Sequence, residues 1–545
     1  MAAHLPDSVA IAEPRRRGQG RDRYRTITFA ELEADTNRIA SGLIAHGAVP
    51  GMRIALLVRP GINFISLVFA LLKAGVVQIL IDPGMGKRNL LKCLAEAEPE
   101  GFIAIPQAQA IRHLMASRFP KSRLHVTVGR RLWWQGETLD EIRAAGSTDF
   151  QSVETTVDDP AAIIFTTGST GPPKGVLYRH GTFDQQVEEI GKFYDIQPGE
   201  IDVPGFPLFG LFNAAMGVTT VVPQMDVSRP AKVDPRKFVS AIHTWGATQS
   251  FGSPAIWNRV GHYCEEQRVQ LPTLRRILSA GAPVPPHVLA RMKQFIPLDG
   301  EIYTPYGATE ALPIASISAS EVLSETASHT SIGEGTCVGR HFPGIDWKII
   351  RIVDGPIADI DQITELPQRE IGELIVSGPV VTREYVTRRD ANALAKIKDY
   401  DKIWHRMGDV GYLDEQERFW FCGRMAHRVL TPRGAMYTIP CEAIFNNHPD
   451  IYRSALVGVG VAGSQRPVIV VEPWPGKMPR GRAGRQRLLN QLRELGKANP
   501  LTESIEDFFV RRALPVDIRH NAKIFREKLA LWAAKRVEHP RIALG

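Results

Sequence analysis

A glycine-rich loop with a single lysine is the segment of this sequence best suited to chemistry. Residues 163–175 read IIFTTGSTGPPKG, so an apolar run opens into a loop of hydroxyl groups and glycines that carries Lys174. Glycine lets the backbone approach a phosphate closely, and hydroxyl and backbone N–H groups can donate hydrogen bonds to it. The loop is not a Walker A loop, because two prolines precede the lysine and a glycine follows it. An ordinary turn is the alternative, and the cluster of hydroxyls and glycines around one lysine favours phosphate binding.

Five further segments follow this loop in a recognisable order. They read SAGAP at 279–283, YTPYGATE at 303–310, HRMGD with CGR at 405–409 and 422–424, and AKIFR at 522–526. Together with the loop, they resemble the ordered motifs of the adenylate-forming superfamily, which contains acyl-CoA synthetases, luciferases and peptide-synthetase adenylation domains. The motifs spread from residue 163 to 529, and a chance match of this order is therefore improbable.

The resemblance implies an ATP-dependent ligase that forms acyl-AMP, with ATP and Mg²⁺ as cofactors. Glu310 is implied as the Mg²⁺ ligand, which suits a metal that prefers oxygen. Asp409 can accept hydrogen bonds from the ribose hydroxyls and Arg424 can donate to the same sugar. Taken alone, Asp409 is typical of a turn and Arg424 of a surface ion pair. The implied nucleotide-binding residues are Thr166, Thr167, Gly168, Ser169, Thr170, Gly171, Lys174, Gly281, Ala282, Pro283, Tyr306, Gly307, Ala308, Thr309, Asp409 and Arg424.

The implied catalytic residues are Lys523, Glu310 and Thr309. A carboxylate that attacks the α-phosphorus of ATP meets like-charge repulsion, so a cation must bridge the two anions in the transition state. In the superfamily a lysine on a mobile C-terminal domain does this, and Lys523 matches its position. A single lysine near a C-terminus is otherwise usually solvated.

Beyond the superfamily, the sequence resembles the olefin β-lactone synthetases from about Thr26 to Trp532. This subgroup is thought to adenylate a long-chain 2-alkyl-3-hydroxy fatty acid, whose own hydroxyl then displaces AMP to close a β-lactone. Tethering the nucleophile gives it a high effective concentration, so no CoA is needed. Ala426 and Ala522 replace residues common at the family's hinge and closing motif, which weakens the case for a thioester-forming rotation. His427 has the right residue type for a base near this hinge, although a single histidine is more often structural.

The acyl chain is expected near an aromatic segment. Residues 206–212 read FPLFGLF and lack the histidine that the family often has there, which suits a fatty chain in an apolar tunnel. Core packing of these rings is the alternative. The predicted acyl-binding residues are Phe206, Phe209, Phe212, Ser253 and Pro254.

Two rival functions remain open. An acyl-CoA synthetase or fatty acyl-AMP ligase shares every nucleotide motif. A non-catalytic acyl- or nucleotide-binding subunit is the distant alternative, which the presence of Lys174, Glu310, Asp409 and Lys523 argues against. A complex with other enzymes of olefin biosynthesis is a further expectation.

The elements that must position these motifs indicate an α/β fold. Short apolar runs alternate with helical stretches, which predicts doubly wound parallel sheets, and shorter β-rich pieces from Gly344 predict a small barrel-like subdomain. Thr28 and Glu31 form a predicted capping box at the first helix. We expect a large domain over residues 1–424, with residues 1–25 as a flexible basic arm. A small mobile α+β domain is expected over residues 425–545.

Composition narrows the class of protein. The 545 residues are 44% hydrophobic and 23% charged, as in globular proteins, and the five cysteines form no CxxC pair. The cysteine spacing favours a reducing cytoplasm over a disulfide scaffold. The apolar stretch 65–81 is too short for a membrane span, and no export signal is evident. Net charge is +8, and the basic runs 15–23 and 480–487 lack aromatic residues, so a solvated arm or loop is favoured over nucleic-acid binding.

Overall fold

The computed structural model describes residues 1–15, 20–166, 172–206, 209–517 and 523–538. Its strands are β1 Val9–Pro14, β2 Tyr24–Thr28, β3 Arg53–Leu57, β4 Val77–Leu80, β5 Gly101–Ala104, β6 Leu124–Thr127, β7 Glu137–Thr138, β8 Pro160–Phe165, β9 Gly175–Arg179, β10 Ile201–Asp202, β11 Thr219–Val221, β12 Gln249–Gly252, β13 Arg276–Ser279, β14 Glu301–Tyr303, β15 Tyr306–Ala308, β16 Ala311–Ser316, β17 Thr336–Cys337, β18 Arg340–His341, β19 Asp346–Ile350, β20 Gly372–Ser377, β21 Lys396–Asp399, β22 Lys402–Leu413, β23 Phe419–Arg424, β24 Val429–Thr431, β25 Gly434–Met436, β26 Ile451–Val459, β27 Arg466–Pro473 and β28 Asp507–Val510. Its α-helices are α1 Phe29–Ala45, α2 Ile62–Lys73, α3 Lys87–Ala97, α4 Pro106–Leu114, α5 Leu139–Ala145, α6 His180–Phe193, α7 Phe209–Met216, α8 Pro235–Trp245, α9 Pro254–Gln267, α10 Pro286–Lys293, α11 Ala319–Glu321, α12 Ala327–Ser331, α13 Ala391–Ala395, α14 Thr438–Asn446, α15 Gly481–Lys497 and α16 Arg526–Glu538.

Two seven-stranded sheets form the large N-terminal part. One has the order β14-β13-β12-β10-β11-β1-β2 and the other β7-β6-β5-β3-β4-β8-β9. Pairing is parallel throughout except at β1–β2 and β8–β9. Helix α2 connects β3 to β4 as a parallel βαβ unit, and it also contacts β1 and α7 across the two sheets. The predicted doubly wound α/β class is confirmed.

An antiparallel sheet follows, as the short β-rich segments of the sequence from Gly344 predicted. Its order is β17-β23-β22-β20-β19, with β21 paired to β22, and a smaller sheet joins β15, β16 and β18. The C-terminal part has its own three-stranded sheet, β26-β27-β28, packed against α14, α15 and α16. Val429, Phe445, Leu456 and Leu492 form part of its separate buried core. This small α+β unit agrees with the predicted fold class.

The N-terminal arm is the main correction to the prediction. The segment 9–14 is a strand of the first large sheet, where β1 lies between β11 and β2. Ala10, Ile11 and Ala12 are fully buried, so residues 9–14 and 24–25 are not part of a flexible arm. The run of apolar residues is too short to stand out in the sequence, and its burial depends on a partner strand some 200 residues away.

The structure also contains the predicted capping box at the first helix and the basic run 480–487. The Thr28 hydroxyl accepts a hydrogen bond from the Glu31 N–H, and the Glu31 carboxylate accepts one from the Thr28 N–H, which confirms the capping box. The basic run 480–487 enters the first turns of α15 instead of forming a loop. Among the described residues, the helices are too short or too polar to cross a membrane.

Candidate functional site

The predicted phosphate loop leaves the second large sheet between β8 and β9. These strands pair antiparallel, so residues 166 and 174 face each other at the mouth of the loop. The Thr166 N–H donates to the Lys174 carbonyl at 3.0 Å, and the Lys174 N–H donates to the Thr166 hydroxyl at 3.1 Å. Thr167, Gly168, Ser169, Thr170 and Gly171 lie outside the described residues.

Lys174 and Glu310 lie on either side of one tyrosine hydroxyl. Lys174 Nζ donates to the Tyr385 hydroxyl at 3.2 Å, and this hydroxyl donates to Glu310 Oε1 at 2.7 Å. The ammonium also lies 4.3 Å from the centroid of the Tyr385 ring. Burial lowers the pKa of Lys174, while the Glu310 carboxylate acts in the opposite direction. The structure therefore brings the predicted phosphate-binding lysine and the predicted metal ligand together.

Asp409 and Arg424 occupy directly opposed positions on β22 and β23. Arg424 Nε lies 3.0 Å from Asp409 Oδ1, and the Tyr306 hydroxyl donates to Asp409 Oδ2 at 2.5 Å. Burial raises the pKa of Asp409, and the Arg424 guanidinium opposes this increase. Gly408 precedes the aspartate with a φ of +64°, a left-handed conformation that glycine adopts without strain.

The remaining nucleotide-site candidates lie at strand ends. Thr309 follows β15, and its carbonyl accepts a hydrogen bond from the buried Tyr178 hydroxyl at 2.6 Å. Gly307 lies inside β15, where a Cβ would come within 2.8 Å of the Ala311 carbonyl oxygen, so a larger residue cannot fit without a shift. Ala308 ends the same strand. Gly281, Ala282 and Pro283 form the turn after β13.

Lys523 comes from the C-terminal part of the chain. Its backbone N–H donates to Asp517 Oδ1 at 2.8 Å, and the Asp517 N–H donates to the Lys523 carbonyl at 3.0 Å. The charge of Lys523 also acts at Asp409, where it lowers the pKa of the buried carboxyl. Lys523 is therefore within electrostatic reach of Asp409. Ala522 lies outside the described residues.

The predicted acyl-binding residues form two groups. Phe209 stacks on Phe251 with centroids 3.6 Å apart, and Phe206 and Phe212 contact Phe209 at 6.1 and 5.8 Å. Ser253 precedes Pro254, the first residue of α9, and its buried hydroxyl has no hydrogen-bond partner among the described residues. Because Gly252 pairs with Ser279, Ser253 lies at the same sheet edge as the turn that begins with Gly281.

Three residues around Glu310 were not predicted from the sequence. Tyr385 is 1% exposed, and Thr382 donates to the Glu310 carbonyl from its N–H at 2.9 Å and from its hydroxyl at 2.8 Å. Lys396 Nζ donates to the Thr382 carbonyl, and burial lowers the pKa of this lysine to about 7. No motif marks these positions, and the alternation of β21 does not separate Lys396 from the exposed Lys398.

The histidine beside the hinge points towards the C-terminal helix. His427 ends a short 3₁₀ turn, and its Nε2 lies 3.3 Å from Glu527 Oε1. Burial and the nearby Arg526 guanidinium lower the pKa of His427, which favours the neutral ring. Ala426, in the same turn, is exposed.

The described residues fit ATP with Mg²⁺. Asp409 Oδ1 is buried and ion-paired with Arg424, but it accepts no aligned hydrogen bond among the described residues, so it can accept one from a ribose hydroxyl. Glu310 Oε1 accepts a hydrogen bond from the Tyr385 hydroxyl, and Oε2 is the other oxygen of this carboxylate, which can contact a cation. The single carboxylate of Glu310 fits Mg²⁺, which is usually held by one or two carboxylates together with substrate phosphates.

Comparison with known proteins agrees with this geometry. The model of the AMP-binding enzyme family matches residues 1–386, and the chain belongs to this family. It therefore uses ATP to activate an acyl substrate as its adenylate, as the motifs predicted.

More particular similarity extends over nearly the whole chain. The chain is 46% identical over 544 residues to an olefin β-lactone synthetase of Xanthomonas campestris pv. campestris, covering 98% of this chain and 96% of the relative. It is 44% identical over 547 residues to an olefin β-lactone synthetase of Stenotrophomonas maltophilia, covering 99% and 97%. The fold resembles o-succinylbenzoate coenzyme A synthetase from Bacillus subtilis in complex with ATP and magnesium ion, at a TM-score of 0.72, 20% identity and coverage of 97% and 98%.

Proposed function

We propose that this protein converts a long-chain 2-alkyl-3-hydroxy fatty acid and ATP into a β-lactone, AMP and pyrophosphate. In the first step a carboxylate oxygen bonds to the α-phosphorus and pyrophosphate leaves. In the second step the 3-hydroxyl oxygen bonds to the acyl carbon, its proton passes to a base, and AMP leaves. The observation that carries this proposal is the 44–46% identity over nearly the full chain to two olefin β-lactone synthetases.

The residues of the site are proposed to divide this work. Asp409 and Arg424 hold the ribose, and Lys174 with Thr309 and the loop at 166–171 holds the phosphates. Glu310 holds Mg²⁺, which neutralises phosphate charge. Lys523 stabilises the negative charge that develops at the α-phosphate. The adjacency of Lys174 and Glu310, and the electrostatic reach of Lys523 to Asp409, support these assignments.

The acyl end of the substrate is proposed to lie by the aromatic cluster. The rings of Phe206 and Phe209 contact Phe251, and the Phe212 ring contacts Phe209. Ser253 and Pro254 lie at the neighbouring sheet edge. An apolar surface of this kind stabilises a fatty chain through burial of area.

Product analysis tests the proposal against the acyl-CoA synthetase alternative. The purified protein is incubated with a 2-alkyl-3-hydroxy fatty acid, ATP and Mg²⁺, with and without CoA. We expect AMP, pyrophosphate and a product with the mass of the acid minus one water, independent of CoA. The matched acid without the 3-hydroxyl should stop at acyl-AMP, since it has no tethered nucleophile. A rapidly accumulating thioester and no lactone would replace the proposal with the alternative.

We further propose a domain boundary at residues 424/425 and rotation of the part that follows. The separate buried core of residues 429–508 supports this boundary, and helix α14 contacts β23 across it. Limited proteolysis with and without ATP tests it, because rotation should change cleavage near the turn 425–427.

Location and association are also proposals. All five cysteines are unpaired and buried, which favours a reducing compartment such as the cytoplasm. The relatives' names place them in olefin biosynthesis, and a complex of this chain with other enzymes of such a pathway can be tested by co-purification.

A further inference from the structure

Two opposite charges in the site are close together without forming a direct ion pair. The Tyr385 hydroxyl accepts from Lys174 Nζ at 3.2 Å and donates to Glu310 Oε1 at 2.7 Å. Among the described residues, no Lys174–Glu310 contact within 4.0 Å is present, although the Glu310 carboxylate opposes the lowering of the Lys174 pKa by burial. The phenolic oxygen therefore stands between the ammonium and the carboxylate.

The position of Tyr385 is fixed by the same strand that closes the phosphate loop. Tyr385 forms a β-bridge with Val176, and the Val386 N–H donates to the Gly175 carbonyl at 2.9 Å. The Asn392 side chain brackets the tyrosine backbone, accepting from its N–H at 2.8 Å and donating to its carbonyl at 3.0 Å. The hydroxyl is thus set by backbone pairing to β9, just after Lys174.

A buried cation supports the Glu310 side of this arrangement. Lys396 is 9% exposed and bonds the Thr382 carbonyl, while Thr382 bonds the backbone carbonyl of Glu310 twice. Lys396 Nζ also lies 5.8 Å from the centroid of the Tyr385 ring. Both the side chain and the backbone of Glu310 are therefore held from the segment 382–396.

We propose that Tyr385 is a positioning residue whose hydroxyl keeps the Lys174 ammonium and the Glu310 carboxylate apart, at the separation that Mg²⁺-bound phosphates require. Without the hydroxyl, a lysine and a glutamate in this partly buried site would pair directly. Substrate binding would then have to break that pair before phosphate and Mg²⁺ could enter. With it, Oε1 is occupied by Tyr385 and Oε2 would be available to hold Mg²⁺, so the site would be preorganised. This inference rests on the proposed roles of Lys174 and Glu310.

The Tyr385→Phe variant tests the inference, because it removes one oxygen and keeps the ring. We expect the KM for MgATP and the half-saturating Mg²⁺ concentration to rise about tenfold or more, as for loss of hydrogen bonds to charged groups. AMP carries neither the β- nor the γ-phosphate, so its affinity should stay within twofold. Retained AMP binding also shows that the variant is folded.

Tyr194→Phe is the matched control. Tyr194 is also buried, and its hydroxyl bonds the Ser316 hydroxyl at 3.0 Å, away from Lys174 and Glu310. It should leave the MgATP and Mg²⁺ dependence unchanged. A Tyr385→Phe variant that matches this control in both parameters overturns the inference. If the parent forms acyl-AMP normally in that case, the proposed function survives.

Lys396→Met and Lys396→Arg provide an independent check. The methionine variant removes the donor to Thr382 and should raise the half-saturating Mg²⁺ concentration about threefold to tenfold, with AMP affinity unchanged. The arginine variant keeps a donor and a charge, so its half-saturating Mg²⁺ concentration should return most of the way to that of the parent. Equal loss of AMP and MgATP binding in the methionine variant would indicate a general structural defect and would contradict the inference.

Discussion

The proposed ribose side and the proposed phosphate side of the site balance their charges in different ways. On the ribose side, Asp409 and Arg424 face each other across two strands and form a direct ion pair at 3.0 Å. On the phosphate side, the Tyr385 hydroxyl separates Lys174 from Glu310. A ribose is neutral and can join an existing pair through an unused acceptor. A Mg²⁺–polyphosphate group is charged and needs its counter-charges free.

The same strand connects the two sides. β22 carries Asp409. It also pairs with β21, in which Lys396 lies opposite His405 of β22. The Asp409–Arg424 pair and the Lys174–Glu310 pair share this scaffold but no residue. A substitution can therefore perturb one pair without removing a member of the other.

Loss of Lys523 should affect both sides, because this lysine is proposed to act at the α-phosphate between them. Lys523→Ala should lower the rate of pyrophosphate release, at saturating acid and MgATP, by about two to three orders of magnitude. Binding of MgATP should change little. Lys528→Ala, an exposed lysine on helix α16 shortly after Lys523, is the control. A Lys523→Ala rate within a few-fold of the parent would remove Lys523 from the proposed mechanism.

Asp409→Asn should weaken ATP through the ribose. The amide loses the charge and one acceptor oxygen, so ATP affinity should fall about tenfold to a hundredfold. The measurement compares ATP with 2′-deoxy-ATP, which already lacks one hydroxyl and should show the smaller loss. An equal loss with both nucleotides would contradict the assignment of Asp409 to the ribose.

The sequence named the residues that meet on the proposed ribose side more completely than those on the proposed phosphate side, and the reason is physical. Asp409 and Arg424 lie within short local motifs that carry the family resemblance, and the resemblance marks them. Tyr385 and Lys396 act through contacts with residues far away in the chain, and nothing local distinguishes them from ordinary strand residues. The same contrast holds for the fold, since the capping box at Thr28 is local whereas β1 is defined only by its partner β11.

Tyr306→Phe tests whether the two sides act independently, because it removes a hydroxyl that contacts only the proposed ribose side. The Tyr306 hydroxyl donates to Asp409 Oδ2 at 2.5 Å, and the Phe variant leaves that buried oxygen without this donor. We expect AMP and MgATP to weaken by the same factor, up to about tenfold. The Mg²⁺ dependence should stay that of the parent, in contrast to Tyr385→Phe. A defect confined to MgATP would show that the two sides are not independent.

The last prediction concerns how the free energy of unfolding depends on pH through Lys396. Burial lowers the pKa of this lysine to about 7 in the folded chain, whereas in the unfolded chain it is about 10.4. Between these values the unfolded state binds more protons, so the free energy of unfolding rises with pH. The penalty for burying the charge is complete below pH 7 and is relieved as pH increases. The difference in unfolding free energy, parent minus Lys396→Met, should therefore increase from pH 7 to 9 by ~1 kcal/mol per pH unit. Denaturant unfolding of the two proteins at pH 7, 8 and 9 measures this difference, and groups common to both cancel. A difference that is flat over this range would show that Lys396 keeps an ordinary pKa in the folded protein.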